Sequence, residues 1–321
     1  MSQEIWRVFE NNMCTKRSKF GAVSFFTGGL KKGNGNMSVQ QDIIHLIGGQ
    51  DDKDGSLRSV GEFNSKDMKT FQADWKLPIQ LSGFGSCSSS SNKVFVAGGQ
   101  STSSGAPMQQ RKVYQISCGK ASDRASSLVK KLGSVAGTDF HYQLRELPDL
   151  LEEREDFALV HVKSSQANDF SLFAIGGYNV SRGALNSIEK YDSKTGKWTK
   201  RKFELAEGSK GLCAHQAVTL PDGIYIMGGF DGDTYYNNLW RLDPSTFSIK
   251  QLPPMNVKRA HFSAVVSQNG AFIYAIGGYN AQDGALKSVE RFDVVSQRWV
   301  VLSPMQRKRQ MHASHLCLVN R

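Results

Sequence analysis

The sequence predicts an all-β protein built of short antiparallel strands in repeats of roughly fifty residues. Three observations predict it. An apolar strand ending in Gly-Gly recurs five times. Each copy is followed by the same companion segments in the same order. Turn signals return roughly every 8–12 residues, which suits strands and not helices.

With 321 residues the chain allows two or three ordinary domains or one large all-β unit. Apolar residues make up 39% and charged residues 21%, a balance that suits a globular chain and excludes a disordered one. No apolar run approaches the ~18 residues of a membrane-spanning helix. The segment from Met1 to Arg7 lacks a basic region followed by an apolar stretch, so no secretory signal is read. Five cysteines (Cys14, Cys87, Cys118, Cys213 and Cys317) are scattered, without any C-x-x-C pair. They read as reduced, mostly buried thiols of a cytoplasmic protein. The balance of 40 Lys+Arg against 29 Asp+Glu gives +11, which favours acidic partners without choosing among them.

The repeat is anchored on Gly48-Gly49, Gly98-Gly99, Gly176-Gly177, Gly228-Gly229 and Gly277-Gly278, spaced by 50, 78, 52 and 49 residues. Before each pair runs a strand such as Val94 to Ala97 or Ile224 to Met227. After it comes a loop, then a strand with an aromatic or aliphatic residue and often an Asp: Tyr191-Asp192, Leu242-Asp243 and Phe292-Asp293, with Phe63-Asn64 in the first unit. A further strand lies around Trp75, Trp198, Phe247 or Trp299. Last comes Met-x-x-x-Arg before the next apolar strand, as Met255/Arg259 and Met305/Arg309, with Met13/Arg17 and a looser Leu150/Arg154. Four strands in fifty residues cannot bury a core alone, so successive units must stack as propeller blades.

These motifs together resemble the kelch repeat over about residues 42–303. The resemblance implies a β-propeller of four-stranded blades, with the glycine pair ending the second strand of each. Residues without a Cβ at that point tolerate positive φ and close backbone approach. Trp75, Trp198 and Trp299 read as filling the gap between blades at large radius. The expectation is one kelch domain over 1–321, with loop insertions at about 27–41 and 118–139. Residues 4–9 and 309–319 read as strands of a further blade, so an imperfect six-bladed ring is favoured over five. In the second insertion, Ser122-Asp123 followed by Leu128, Val129 and Leu132 predicts a short capped amphipathic helix.

The residues carry no catalytic signature. There is no Ser-x-Asp-x-Gly-x-x-Trp box, no phosphate-binding Gly-rich loop and no Gly-x-Ser-x-Gly elbow. His312 and His315 are three apart in an expected strand, pointing to opposite faces, so they cannot chelate one ion. Cys213 and His215 share a face, and read as a core thiol beside an inner-strand histidine. The expectation is no cofactor, no metal and no catalysis. The basic clusters, Lys200-Arg201-Lys202 and Arg307-Lys308-Arg309 among them, lack the helix or aromatic ladder of a nucleic-acid reader.

The residues after each glycine pair and the arginines of Met-x-x-x-Arg are placed by the repeat on one loop face. Resemblance to peptide-capturing kelch domains assigns binding to Tyr178, Asn179, Phe230, Tyr279 and Asn280, with Arg154, Arg259, Arg309 and Arg17. Guanidinium forks and Tyr hydroxyls suit an acidic or polar peptide segment. The other reading of these arginines is ion pairing that holds blades together. The resemblance implies a protein-interaction module, and names two further expectations: substrate recognition for a cullin-type ubiquitin ligase, or actin binding. Because the pattern begins within ten residues, the expectation is a propeller without a BTB domain. The competing class is an enzyme with a metal or small-molecule site at the channel mouth.

Overall fold

The computed structural model describes residues 18–25, 43–64, 69–89, 93–103, 105–120, 129–134, 140–164, 166, 169–203 and 210–313. Among them every regular element is a strand, and the strands form five blade sheets and three two-stranded ribbons in the loops that follow the glycine pairs. Sheet I holds Gly21–Phe25, Ile43–Ile47, Gly55–Asn64 and Lys69–Leu81. Sheet II holds Gly85–Ser88, Lys93–Ala97, Val113–Lys120 and Phe140–Leu147, with Val129–Ser134 added at its edge. Sheet III runs Ala158–Lys163, Phe170–Ile175, Ser187–Asp192 and Lys197–Lys202. Sheet IV runs Gln216–Leu220, Gly223–Met227, Leu239–Leu242 and Ile249–Leu252. Sheet V runs Ser263–Val266, Phe272–Ile276, Val289–Asp293 and Arg298–Leu302. All pairings are antiparallel between consecutive strands, apart from the inserted edge strand of sheet II. The chain divides into two compact units at Leu150/Leu151, the first carrying sheets I and II and the second sheets III to V.

Burial explains the sequence pattern strand by strand. The second strand of each blade is covered on both faces, so it reads as continuous apolar residues; Gly223–Met227 is buried at every position. The outermost strand faces water, and in Lys197–Lys202 only Trp198 is buried. Between sheets I and II, Trp75 packs against Tyr142 at 5.1 Å between ring centroids. Between sheets III and IV, Phe247 meets Phe173 at 5.9 Å. Trp198 and Trp299 lean on the aromatic directly across the strand pair, Tyr191 and Phe292, at 5.3 and 5.2 Å.

The glycine pair has a specific steric cause. Gly228 has φ 60° and Gly229 φ 104°. A Cβ on Gly228 would lie 2.5 Å from the carbonyl oxygen of Arg259, which leads into the next sheet. The Gly229 N–H donates to that same oxygen at 2.8 Å. Gly49 on Leu81, Gly177 on Leu212 and Gly278 on Arg309 repeat the bond. Sheet I is thus laced to sheet II, sheet III to sheet IV and sheet IV to sheet V through backbone, and side chains at these pairs would break the lacing.

Two expectations need correction or restriction. Val129–Ser134 is a strand paired with Phe140–Leu147, not part of a helix. Val129, Lys130 and Lys131 continue the ladder and Leu132 is the bulged residue, half-buried against the core of sheets I and II. An available sheet edge and an apolar surface outweighed local helix patterning. The remainder of that insertion at 121–128 and 135–139, the insertion at 27–41 and the strand at 4–9 lie outside the described residues. So does 314–321, while 309–313 adds one bridge, Arg309 to Leu286, and no strand. Five blades are what the described residues build.

Candidate functional site

At the Gly-Gly end of each sheet the residue after the pair makes a backbone bridge, and the next residue caps the loop. The bridges are Gln50 to Ser18, Gln100 to Ser82, Tyr178 to Glu155, Phe230 to Cys213 and Tyr279 to Ala260. Asn179 Oδ1 accepts from Ser181 N–H at 3.0 Å, and its Nδ2 donates to the Glu153 carbonyl at 2.8 Å. Asn280 Oδ1 accepts from Asp283 N–H at 2.7 Å, and its Nδ2 donates to the Lys258 carbonyl at 2.9 Å. Asp231 accepts from the N–H groups of Asp233 and Thr234 and from the Tyr236 hydroxyl at 2.6 Å. Burial alone would raise the Asp231 carboxyl, but the Tyr236 hydroxyl and those two N–H groups outweigh it and hold it below its ordinary value. Asn179 and Asn280 are therefore buried turn formers, and this corrects their assignment to ligand binding.

Arg154 and Arg259 also leave the binding set, since both are wholly buried. Arg154 donates to Glu189 Oε1 at 2.6 Å, to the Gly176 carbonyl at 2.6 Å and to Ser187 Oγ at 3.2 Å. Arg259 repeats the set one repeat further on: Glu290 at 2.7 Å, the Gly277 carbonyl at 2.7 Å and Ser288 Oγ at 3.2 Å. Each carboxylate also receives the chain entering its sheet: Glu189 from the N–H groups of Leu151 and Glu152, Glu290 from those of Asn256 and Val257. The partner is the third strand of the same sheet, so the ion pair fastens a blade's entry turn to its own body. Burial lowers the Arg259 pKa and Glu290 opposes the change. The sequence signal overlooked was internal covariation: Ser187 and Glu189 accompany Arg154, as Ser288 and Glu290 accompany Arg259.

What remains on the rim of sheets III to V is aromatic and basic. Tyr178 is exposed, and Phe230 and Tyr279 are half-buried. Tyr235, which the repeat logic did not single out, joins them at 4.6 Å from Phe230 and 5.9 Å from Tyr279, ring centroid to centroid. It sits in the loop after Gly229, where no other repeat has an aromatic at the same spacing. Arg309 is exposed beside this group, its carbonyl bound by Gly278. Arg17 lies outside the described residues.

Cys213 and His215 do not form a catalytic pair. The Cys213 thiol donates to the Phe230 carbonyl at 3.2 Å. His215 is 1% exposed, and burial, with a smaller contribution from Arg154, pushes its pKa down to about 3. Burial pushes the Cys87 thiol far up and, with Glu62, takes Cys118 to about 11, so neither is a thiolate near neutral pH. Among the described residues no three His, Cys, Asp or Glu side chains converge as metal ligands.

Blades with this glycine corner and entry turn define a kelch-type β-propeller class. The chain belongs to that family: the KLHDC2/KLHL20/DRC7 Kelch-repeats domain model matches residues 150–321. Kelch-like protein 36 of Bos taurus is 31% identical over 164 residues, 48% of this chain and 24% of the relative. Kelch-like protein 38 of Homo sapiens is 26% identical over 301 residues, covering 85% of this chain and 49% of the relative. Kelch repeat-containing protein kel-10 of Caenorhabditis elegans is 24% identical over 151 residues, 46% of this chain and 26% of the relative. The chain thus spans about a quarter to a half of the length of these curated relatives. Kelch propellers of this kind are generally protein-interaction modules.

Proposed function

We propose that this chain captures a segment of a partner protein along the Gly-Gly loops of sheets III to V. The observation that carries the reading is the rim group of Phe230, Tyr235 and Tyr279, with Tyr178 exposed beyond it and Arg309 alongside. Aromatic rings offer large contact area at small entropy cost, and an arginine adds a fork for carboxylates. The partner segment is polar or acidic, in keeping with the basic balance of +11. The same repeat runs through both units, which supports treating 1–321 as one repeat domain without chemistry of its own. A role as substrate-recognition part of a cullin-type ubiquitin ligase, in the cytoplasm, is the finer form of the proposal and rests on the kelch resemblance.

The test is affinity purification with quantitative mass spectrometry of wild type against Tyr235→Ala/Tyr279→Ala, after matching melting temperatures. The expected result is selective loss of one or a few partners, with any cullin component retained or lost together with them. An unchanged partner set at equal melting temperature overturns the rim as the binding surface.

A further inference from the structure

At the Gly-Gly end of sheet III, outside the aromatic group, lies a cleft of about 350 Å³. Its lining includes Arg182, Lys200, Arg201, Lys202 and Lys210, and one carboxylate, Glu152. The local sequence explains the concentration. Lys197–Lys202 is an outermost strand whose one inward residue is Trp198, so its lysines and arginine face solvent. The loop after Gly177 brings Arg182 and the segment leading to sheet IV brings Lys210.

Glu152 organises this cleft. It is 8% exposed, accepts from Arg182 at Oε1 at 2.6 Å, and at Oε2 from Lys200 at 2.6 Å and Ser187 Oγ at 3.0 Å. Burial would raise its pKa, yet the Lys200 hydrogen bond and charge, Ser187 and Arg154 bring it below the ordinary value, so it is ionised. A guanidinium has five N–H donors and an ammonium three, and Glu152 engages a single nitrogen of each. Lys210 reaches Asp233, and Arg201 lies over the Phe247 ring at 4.9 Å. Among the described residues the lining thus carries five cations and one carboxylate.

We propose that this cleft is a subsite for a phosphoryl group carried on a partner protein segment, a proposal that rests on the loops being a protein-binding surface. A phosphoserine or phosphothreonine brings about −1.5 to −2 charges and three strong acceptor oxygens, against −1 for a carboxylate. Its three oxygens suit the arginine fork and the ammonium groups of this lining. The site is a single concavity, and not the row of cations that a nucleic-acid backbone engages.

The test is amide NMR of the full chain titrated with O-phosphoserine, glutamate and serine. O-phosphoserine saturably shifts the amides of Leu185 and Asn186, while glutamate binds at least ~10-fold more weakly, a difference of about 1.4 kcal/mol. Arg182→Ala and Lys200→Ala each weaken binding several-fold at unchanged melting temperature, and Lys197→Ala, on the same strand outside the cleft, does not. Shifts scattered over many surface lysines, glutamate equal to phosphoserine, or Lys197→Ala as damaging as Arg182→Ala overturn the subsite. Partner capture that needs Tyr235 and Tyr279 but ignores both Arg182→Ala and phosphatase treatment sinks the subsite and leaves the interaction module standing. Saturable phosphoserine binding with partners indifferent to the rim variant upholds the subsite and sinks the rim.

Discussion

Just ahead of the first strand, successive blades fill one buried position with two different chemistries. Sheets III and V use Arg154 and Arg259, each locked to a glutamate and a serine of the third strand. Sheets II and IV use Leu81 and Leu212, which are equally buried. Their third strands carry Tyr114 and Trp240 at the place of Glu189 and Glu290, in the same apolar clusters as the leucines. The correspondence follows from the backbone: Gly98 bonds the Lys112 carbonyl as Gly176 bonds that of Ser187, and Gly228 that of Asn238. The position is therefore a core position in sheets II to V. Its occupant is either a satisfied ion pair or an apolar pair, and neither requires a ligand.

The largest effect is expected from breaking one charged pair. Arg259→Ala or Glu290→Ala leaves the other charge buried and uncompensated, costing about 3–5 kcal/mol, read from urea unfolding. A loss below about 1 kcal/mol in both variants would mean that water reaches the pair and the comparison with Leu212 is empty.

The next test extends the comparison to the residue immediately ahead of the first strand, where His215 occupies the place of Phe84, Phe157 and Phe262. Its folded pKa of about 3 lies below the unfolded value of 6.5. The unfolded chain therefore takes up the proton first, and stability is complete above pH 6.5 and lost as pH falls toward 3. At ~1.4 kcal/mol per unit, wild type should lose about 2 kcal/mol at pH 5 relative to His215→Phe. His312, lowered to about 4, is common to both proteins and cancels. Parallel stability profiles between pH 7 and 5 would show that His215 does not titrate as a buried neutral group.

Exchanging one chemistry for the other sharpens the comparison further. Arg259→Leu combined with Glu290→Trp should recover most of the loss of either single alanine, ending within about 1–2 kcal/mol of wild type. A double variant as unstable as the alanine singles would show that the glutamate's grip on Asn256 and Val257, and not the pair itself, is what the blade needs. The smallest effect concerns the residue two beyond the arginine or leucine. Asp156, Ala214, His261 and Met311 all hold φ between 50° and 53° there, and each N–H from Ala214 onward bonds the preceding one's carbonyl. Ala214→Gly relieves left-handed strain but loses unfolded-state restriction, so melting should rise by the equivalent of at most about 1 kcal/mol. A clear destabilisation would show that the Ala214 methyl, which is buried, contributes more packing than strain.

The architecture was legible because the signals were local and repeated. Five strand–Gly-Gly units, four of them with a Trp or Phe at or beside the outer strand, leave little freedom in where the strands lie. The site was much less legible. Arg154 and Arg259 look in sequence like Arg309, yet two are enclosed and one is exposed. Asn179 and Asn280 follow an aromatic that faces the loops, but their own amides close the turn. Tyr235 falls outside the repeat and entered the rim only through its neighbours Phe230 and Tyr279.

Alternation, turn chemistry and the glycine pair depend on a residue's own backbone and its immediate neighbours, so the sequence by itself determined the kelch repeat, the order of strands in each blade and the absence of a recognisable catalytic motif. Which polar side chains face solvent depends on groups 30 or more residues away, such as Glu189 from Arg154 and Glu290 from Arg259. Only the tertiary structure decided that those arginines fasten each entry turn to the third strand of its own blade. It also left the aromatic rim and the cationic cleft of sheet III at the surface, because burial is a property of the packed sheets and not of the segment that carries the residue.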